Sequence, residues 1–117
     1  MASPSRVFEL RTYHAVPGKL DALHDRFRDH TLPLFDKHGI AVVGFWTPKD
    51  GQDIPTDTLV YLLAFSDRDA GEAAWNAFRA DPAWVQAKAE SERRNGGTLT
   101  TSIESVFLDP TDYSPLS

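Results

Sequence analysis

Glu9, Arg11 and Tyr13 alternate along the stretch VFELRTY. At the two-residue period of a strand they place a carboxylate, a guanidinium and a phenol side by side on one face. Such a set serves either an ion pair or the reception of an anionic substrate. If a second sheet covers this face, its charges must be paired, because an isolated buried ion is very costly. The strand expected beside this one carries Glu104, so Arg11 is expected to pair with Glu104 or Glu9 and fix the strand register. The four histidines, His14, His24, His30 and His38, have no H-x-x-x-H spacing. His24 and His38 lie about 21 Å apart along a helix, too far to share a metal. With no cysteine either, no metal site is expected. His24 borders the helix face turned toward the sheet and joins Arg11 and Tyr13 as a candidate acid, base or anion-binding group. Aromatic residues between a helix and a sheet line flat apolar pockets. Tyr13, His24, Trp46 and Trp84 are the residues expected around one here. No phosphate loop, nucleophile elbow or dinucleotide fingerprint is present, so no cofactor is expected.

These side chains need a scaffold, and the pattern supplies one. Val7 to Tyr13 reads as a strand, with Phe8, Leu10 and Thr12 expected to face a helix and Glu9, Arg11 and Tyr13 the other side. Pro17-Gly18 opens a long helix whose apolar stripe is Leu20, Leu23, Phe27 and Leu34. Pro33 lies inside it, and a kink between His30 and Leu34 is expected. Gly39 ends the helix. Ile40 to Thr47 is the second strand, and Lys49 to Asp57 is a polar loop. The third strand, Thr58 to Phe65, is apolar on both faces, as in strands covered on both sides. Ser66 or Asp67 caps a helix running to about Arg79, with Ala74, Trp75 and Phe78 on one face. Asp81-Pro82 starts another, which ends before Gly96-Gly97. Thr98 to Leu108 is a Thr-rich fourth strand.

This order predicts an α+β, ferredoxin-like split βαβ fold, with a four-stranded antiparallel sheet and helices on one face. The domain is expected over residues 6–109, with irregular tails at 1–5 and 110–117. The doubly apolar third strand requires a second cover, and two such sheets face to face make a homodimeric α/β barrel. A net charge of −5 over 117 residues argues against nucleic acid. The start has no apolar signal segment and no run is long enough for membrane insertion. The lack of cysteine fits a cytoplasmic protein.

Four motifs, FELRTY, the PGK turn into a long helix, HGI-VVGFW and AAWNAFRADPAW, together resemble the NIPSNAP family. The resemblance spans about Phe8 to Leu108. It implies a dimeric α/β barrel, and a family that includes mitochondrial proteins with interaction roles and many bacterial proteins of unassigned activity. It also implies a charged residue, often Arg, four positions before Trp75, where this chain has Gly71. Two functions follow as expectations. One is a protein that binds a small hydrophobic molecule between the long helix and the sheet, with or without cofactor-free chemistry there. The other is a homodimeric scaffold or interaction module without chemistry.

Overall fold

The computed structural model describes residues 6–117, so the irregular tail expected at 1–5 lies outside the described residues. The elements run β1 (Val7–Ala15), α1 (Leu20–Arg26), a π-helical turn (Phe27–Thr31), α2 (Leu32–Lys37), β2 (Ala41–Trp46), β3 (Thr58–Phe65), α3 (Arg68–Ala80), α4 (Pro82–Arg94) and β4 (Thr100–Leu108). The sheet is fully antiparallel in the order β2-β3-β1-β4, with the helices packed on one face. This is the ferredoxin-like α+β arrangement. Among the described residues no helix is long and apolar enough to cross a membrane.

The expected kink takes a specific form. Pro33 has no N–H to give the carbonyl of Asp29, and the helix answers by widening rather than breaking. Over Phe27–Thr31 it runs one residue longer per turn, and the Leu32 N–H reaches the Phe27 carbonyl. The α1 to α2 rod therefore continues across the proline. It ends at Gly39, whose φ of 69° closes a Schellman turn. There the Ile40 N–H reaches the Phe35 carbonyl at 2.9 Å and the Gly39 N–H reaches Asp36 at 3.2 Å.

The two faces of β1 are the reverse of the sequence expectation. Glu9, Arg11 and Tyr13 point toward the helices, where Arg11 lies 4.2 Å from the Trp75 ring centre and Tyr13 packs on Phe27. Leu10 and Thr12 lie on the open face with Val60 and Leu62 of β3 and Val106 of β4. Phe8 is also on the open face, buried because the chain beyond Leu108 runs back over it with Pro110 and Leu116. Arg6 assists, its guanidinium over the Phe8 ring and its Nε bonded to the Ser117 carbonyl. The core on the helix face is aromatic. Phe35 and Tyr61 are fully buried, and Phe35 makes ring contacts with Tyr61, Trp75 and Phe78.

Gly71 is explained by packing. A Cβ there would stand 3.0 Å from the Phe65 ring and 3.1 Å from that of Phe107, so α3 comes this close to the two rings because this residue is small. An Arg at this position would have to displace both rings.

Asp81 joins three elements at the opposite end of α3. Its Oδ1 accepts from the Ala83 N–H at 2.9 Å, capping α4, while Oδ2 accepts from Lys37 and His38, each at 2.8 Å. Those bonds from Lys37, His38 and Ala83 hold its pKa well below the usual carboxylate range. The folded state therefore binds a proton at Asp81 less readily than the unfolded chain. Stability from this carboxylate is complete above its unfolded pKa of about 4 and is lost as the pH falls below that value. Melting temperatures taken from about pH 7 down to about pH 3 should decline on this acid limb. Asp81→Asn should start lower at neutral pH and show a shallower decline. An unchanged slope in the variant would assign the acid limb to other carboxylates.

Candidate functional site

A cleft opens between the helix layer and the β1/β4 half of the sheet. It has two lobes, of about 290 Å³ and 470 Å³, and both are lined by Tyr13, Trp75, Phe78, Trp84 and Ile103. The inner lobe reaches Arg26, Phe27, Thr31 and Phe35 of the rod. The outer lobe reaches Arg11 and Arg79. Lys88 and Glu92 of α4 border both. The walls follow from sequence periodicity. Trp75 and Phe78 share the inner face of α3, and Asp81-Pro82 turns the chain so that Trp84, in the first turn of α4, stacks 4.7 Å from Phe78.

The polar floor is a buried network. Arg11 is 7% and Glu9 1% exposed. Arg11 Nη1 donates to Glu9 Oε2 at 2.8 Å, and Trp75 Nε1 donates to Glu9 Oε1 at 2.6 Å. The Ser105 hydroxyl donates to Glu9 as well. With three donors satisfied, Glu9 is an anchor rather than a base. Burial draws the Arg11 pKa downward, but Tyr61, Tyr13 and the Glu9 carboxylate outweigh it and hold the guanidinium above its ordinary range. Arg11 Nη2 also reaches the Tyr13 hydroxyl at 3.4 Å. Tyr61, buried and with its pKa raised chiefly by desolvation, donates its hydroxyl to Tyr13 at 2.9 Å. Tyr13 thus has two donors behind it.

The residues singled out from the sequence separate into two groups. Arg11, Tyr13 and Trp84 meet at the cleft. His24 and Trp46 line a different depression near β2, of about 320 Å³, with Phe27, Leu32, Phe45 and Leu59. Glu104 takes no part in the Arg11 pair and that expectation is corrected. The β4 residue opposite Arg11 is Ser105. Glu104 lies opposite Thr12 on the other sheet face, 72% exposed and 3.7 Å from His14. The period of two places alternate residues on opposite faces, so a neighbour one position off cannot reach. Arg26, Tyr61, Lys88, Glu92 and Ile103 were not singled out. For Arg26 a signal existed, since it stands three residues after Leu23 and beside Phe27 on the inner helix face. Among the described residues no three His, Cys, Asp or Glu side chains converge as metal ligands.

No curated protein matches the sequence. Solved structures do. A NIPSNAP family protein of unknown function from Agrobacterium tumefaciens superposes with a TM-score of 0.82 at 24% identity, covering 99% of this chain and 97% of its own. An uncharacterized NIPSNAP domain protein from Burkholderia xenovorans gives 0.76 at 25% identity, covering 93% and 98%. A second Agrobacterium tumefaciens NIPSNAP family protein gives 0.81 at 20% identity, covering 96% and 99%. The NIPSNAP family model itself matches residues 8–115. The strand-helix-strand frame, the aromatic helix pair and this match agree: the chain belongs to the NIPSNAP family.

Proposed function

We propose that the protein binds a small, largely apolar molecule in the cleft between its helix layer and the sheet, as one half of a homodimer. The observation that carries this reading is the cleft wall. Trp75, Phe78, Trp84 and Ile103 surround a space of small-molecule size, with a few convergent polar groups at one end. A filled core would leave no such space between α4 and the sheet. The donors Arg11 and Tyr13 can hold or polarise an oxygen of the bound molecule without a resident cofactor.

The test uses N-phenyl-1-naphthylamine, a neutral probe whose fluorescence rises in apolar surroundings. It is expected to bind the native protein. Ile103→Trp fills the cleft from its exposed floor and should weaken that binding by about tenfold or more, with melting nearly unchanged. Equal binding by both proteins would remove the cleft as the site. A second reading, a scaffold without chemistry, rests on a different observation. The open sheet face is apolar across three strands, with Val106 and Leu108 substantially exposed.

A further inference from the structure

Arg26 is 6% exposed, yet no carboxylate lies within ion-pairing distance of it among the described residues. Its Nη1 donates to the Ser91 hydroxyl at 3.2 Å, and its Nε has no partner. Burial draws its pKa downward, with only partial opposition from Glu92 and Tyr13. A guanidinium does not shed its proton in a protein, so the charge stays. An uncompensated buried charge is among the most costly features a fold can keep. Arg11, equally buried, has Glu9 against it at 2.8 Å, so the fold pairs buried arginines where it needs to. Arg26 is the exception.

Its position gives the exception a use. Arg26 lines the inner lobe of the cleft, its guanidinium 5.3 Å from the Trp84 ring centre. It also borders a polar depression outside the rod. There Asp25 and Asp29 share the lining with His30 and Arg94, so carboxylates already stand on that side of the guanidinium. On the cleft side the balance reverses. Glu92 is the one carboxylate lining the cleft, and Lys88 occupies it at 3.2 Å. Tyr13 lines the same lobe. Its oxygen accepts from Tyr61 and Arg11, which leaves its own proton to point outward. The opposite assignment, Tyr13 donating to Tyr61, would leave the fully buried Tyr61 proton without an acceptor. Arg26 and Tyr13 therefore present two donors to one small volume, beside a wall of aromatic rings.

Building on the cleft reading above, we propose that the ligand is a monoanionic amphipathic acid. Its carboxylate or enolate oxygen is held by the Arg26 guanidinium and the Tyr13 hydroxyl, and its hydrocarbon body lies against Trp75, Phe78 and Trp84. Of the two cations lining the inner lobe, Lys88 is paired with Glu92 and Arg26 is not, and this one unpaired charge sets the ligand charge at minus one. Arg79, also without a carboxylate among the described residues, lies exposed over the Trp75 ring in the outer lobe. The aromatic wall selects a ring system or a short chain. On a chain of net charge −5 this cleft is a local cationic site.

Two fluorescent probes with nearly the same body separate charge from shape. 8-Anilinonaphthalene-1-sulfonate carries one anionic group, and N-phenyl-1-naphthylamine carries none. The native protein should bind the anion about tenfold more tightly than the neutral probe, and Ile103→Trp should weaken both. Arg26→Met should abolish the preference while leaving the neutral probe's affinity in place. Its melting temperature should hold or rise, because it removes an unpaired charge. Tyr13→Phe should reduce the preference in part. Equal affinity of the native protein for both probes would overturn the anion assignment and leave the cleft reading standing. So would an Arg26→Met protein that melts lower and loses both probes alike, which is the mark of a purely structural arginine. Failure of both probes to bind would overturn the cleft reading and the anion with it.

Discussion

Arg11→Met should cost roughly 3–5 kcal/mol of stability, the usual consequence of removing one partner from a buried ion pair. In a domain of this size that is a fall in melting temperature of more than about 10 °C. The loss has a specific origin. Glu9 would keep its bonds to Trp75 Nε1 and Ser105 but lose the cation that neutralises it, at 1% exposure. Trp75 would also lose the guanidinium stacked 4.2 Å from its ring centre. Adding Glu9→Gln to Arg11→Met removes the stranded charge while retaining an acceptor for Trp75. The double variant should recover much of the loss, and the cycle gives the coupling energy directly. Urea unfolding of the four proteins is the measurement. A single variant that melts as the native protein does would mean that the pair is dispensable for folding and that Arg11 serves the cleft alone.

The second large effect concerns assembly. Light scattering at micromolar concentration should give twice the chain mass, and Val106→Asp should give the single chain. Val106 stands on β4 opposite Leu10, which in turn opposes Leu62 on β3, so the open face is an apolar strip across neighbouring strands. A two-fold contact between two such faces uses the strip twice, and one substitution therefore introduces two carboxylates. Each would be buried without a cation at a cost of at least about 3 kcal/mol. That sum weakens a dimer by more than about 10⁴-fold. Val106 is half exposed in the single chain, so the variant should fold normally as a monomer. A folded native monomer, or a Val106→Asp dimer, would remove the face-to-face arrangement.

The element order was legible because its signals are local. Thr58–Phe65 is nearly continuous in apolar residues, Asp67 and Asp81 are N-caps, and glycine or proline marks every boundary except that between β3 and α3. The orientation of β1 was not. Alternation tells which side chains share a face, and only tertiary partners tell which face is inside. Glu9 and Arg11 looked like an outer face because charge normally is. They lie inside because Trp75 and Ser105 come from distant parts of the chain to complete Glu9's hydrogen bonds. The candidate pocket divided for a related reason. Tyr13 and Trp84 meet across three elements, while His24 and Trp46 lie beyond Phe27, which walls both depressions. Helical spacing from Leu23 and Phe27 puts Arg26 on the inner face, but nothing in the sequence announces that Ser91 of α4 will sit against it.

The π-helical turn sets a rule about chain length that composition does not express. Each helical residue advances the side-chain direction by about 100°. The π turn spends one residue more on the same turn, so deleting one residue between Phe27 and Thr31 would let the rod relax into an ordinary α-helix with its two halves still in phase. Deleting two would turn the halves by that angle relative to each other. If Leu32–Lys37 kept Phe35 in the core, Leu23 and Arg26 would rotate away from the interior together. The segment thus behaves as a gear with one tooth to spare. Many substitutions, and the loss of one residue, leave its phase intact, but the loss of a second moves the guanidinium off the cleft.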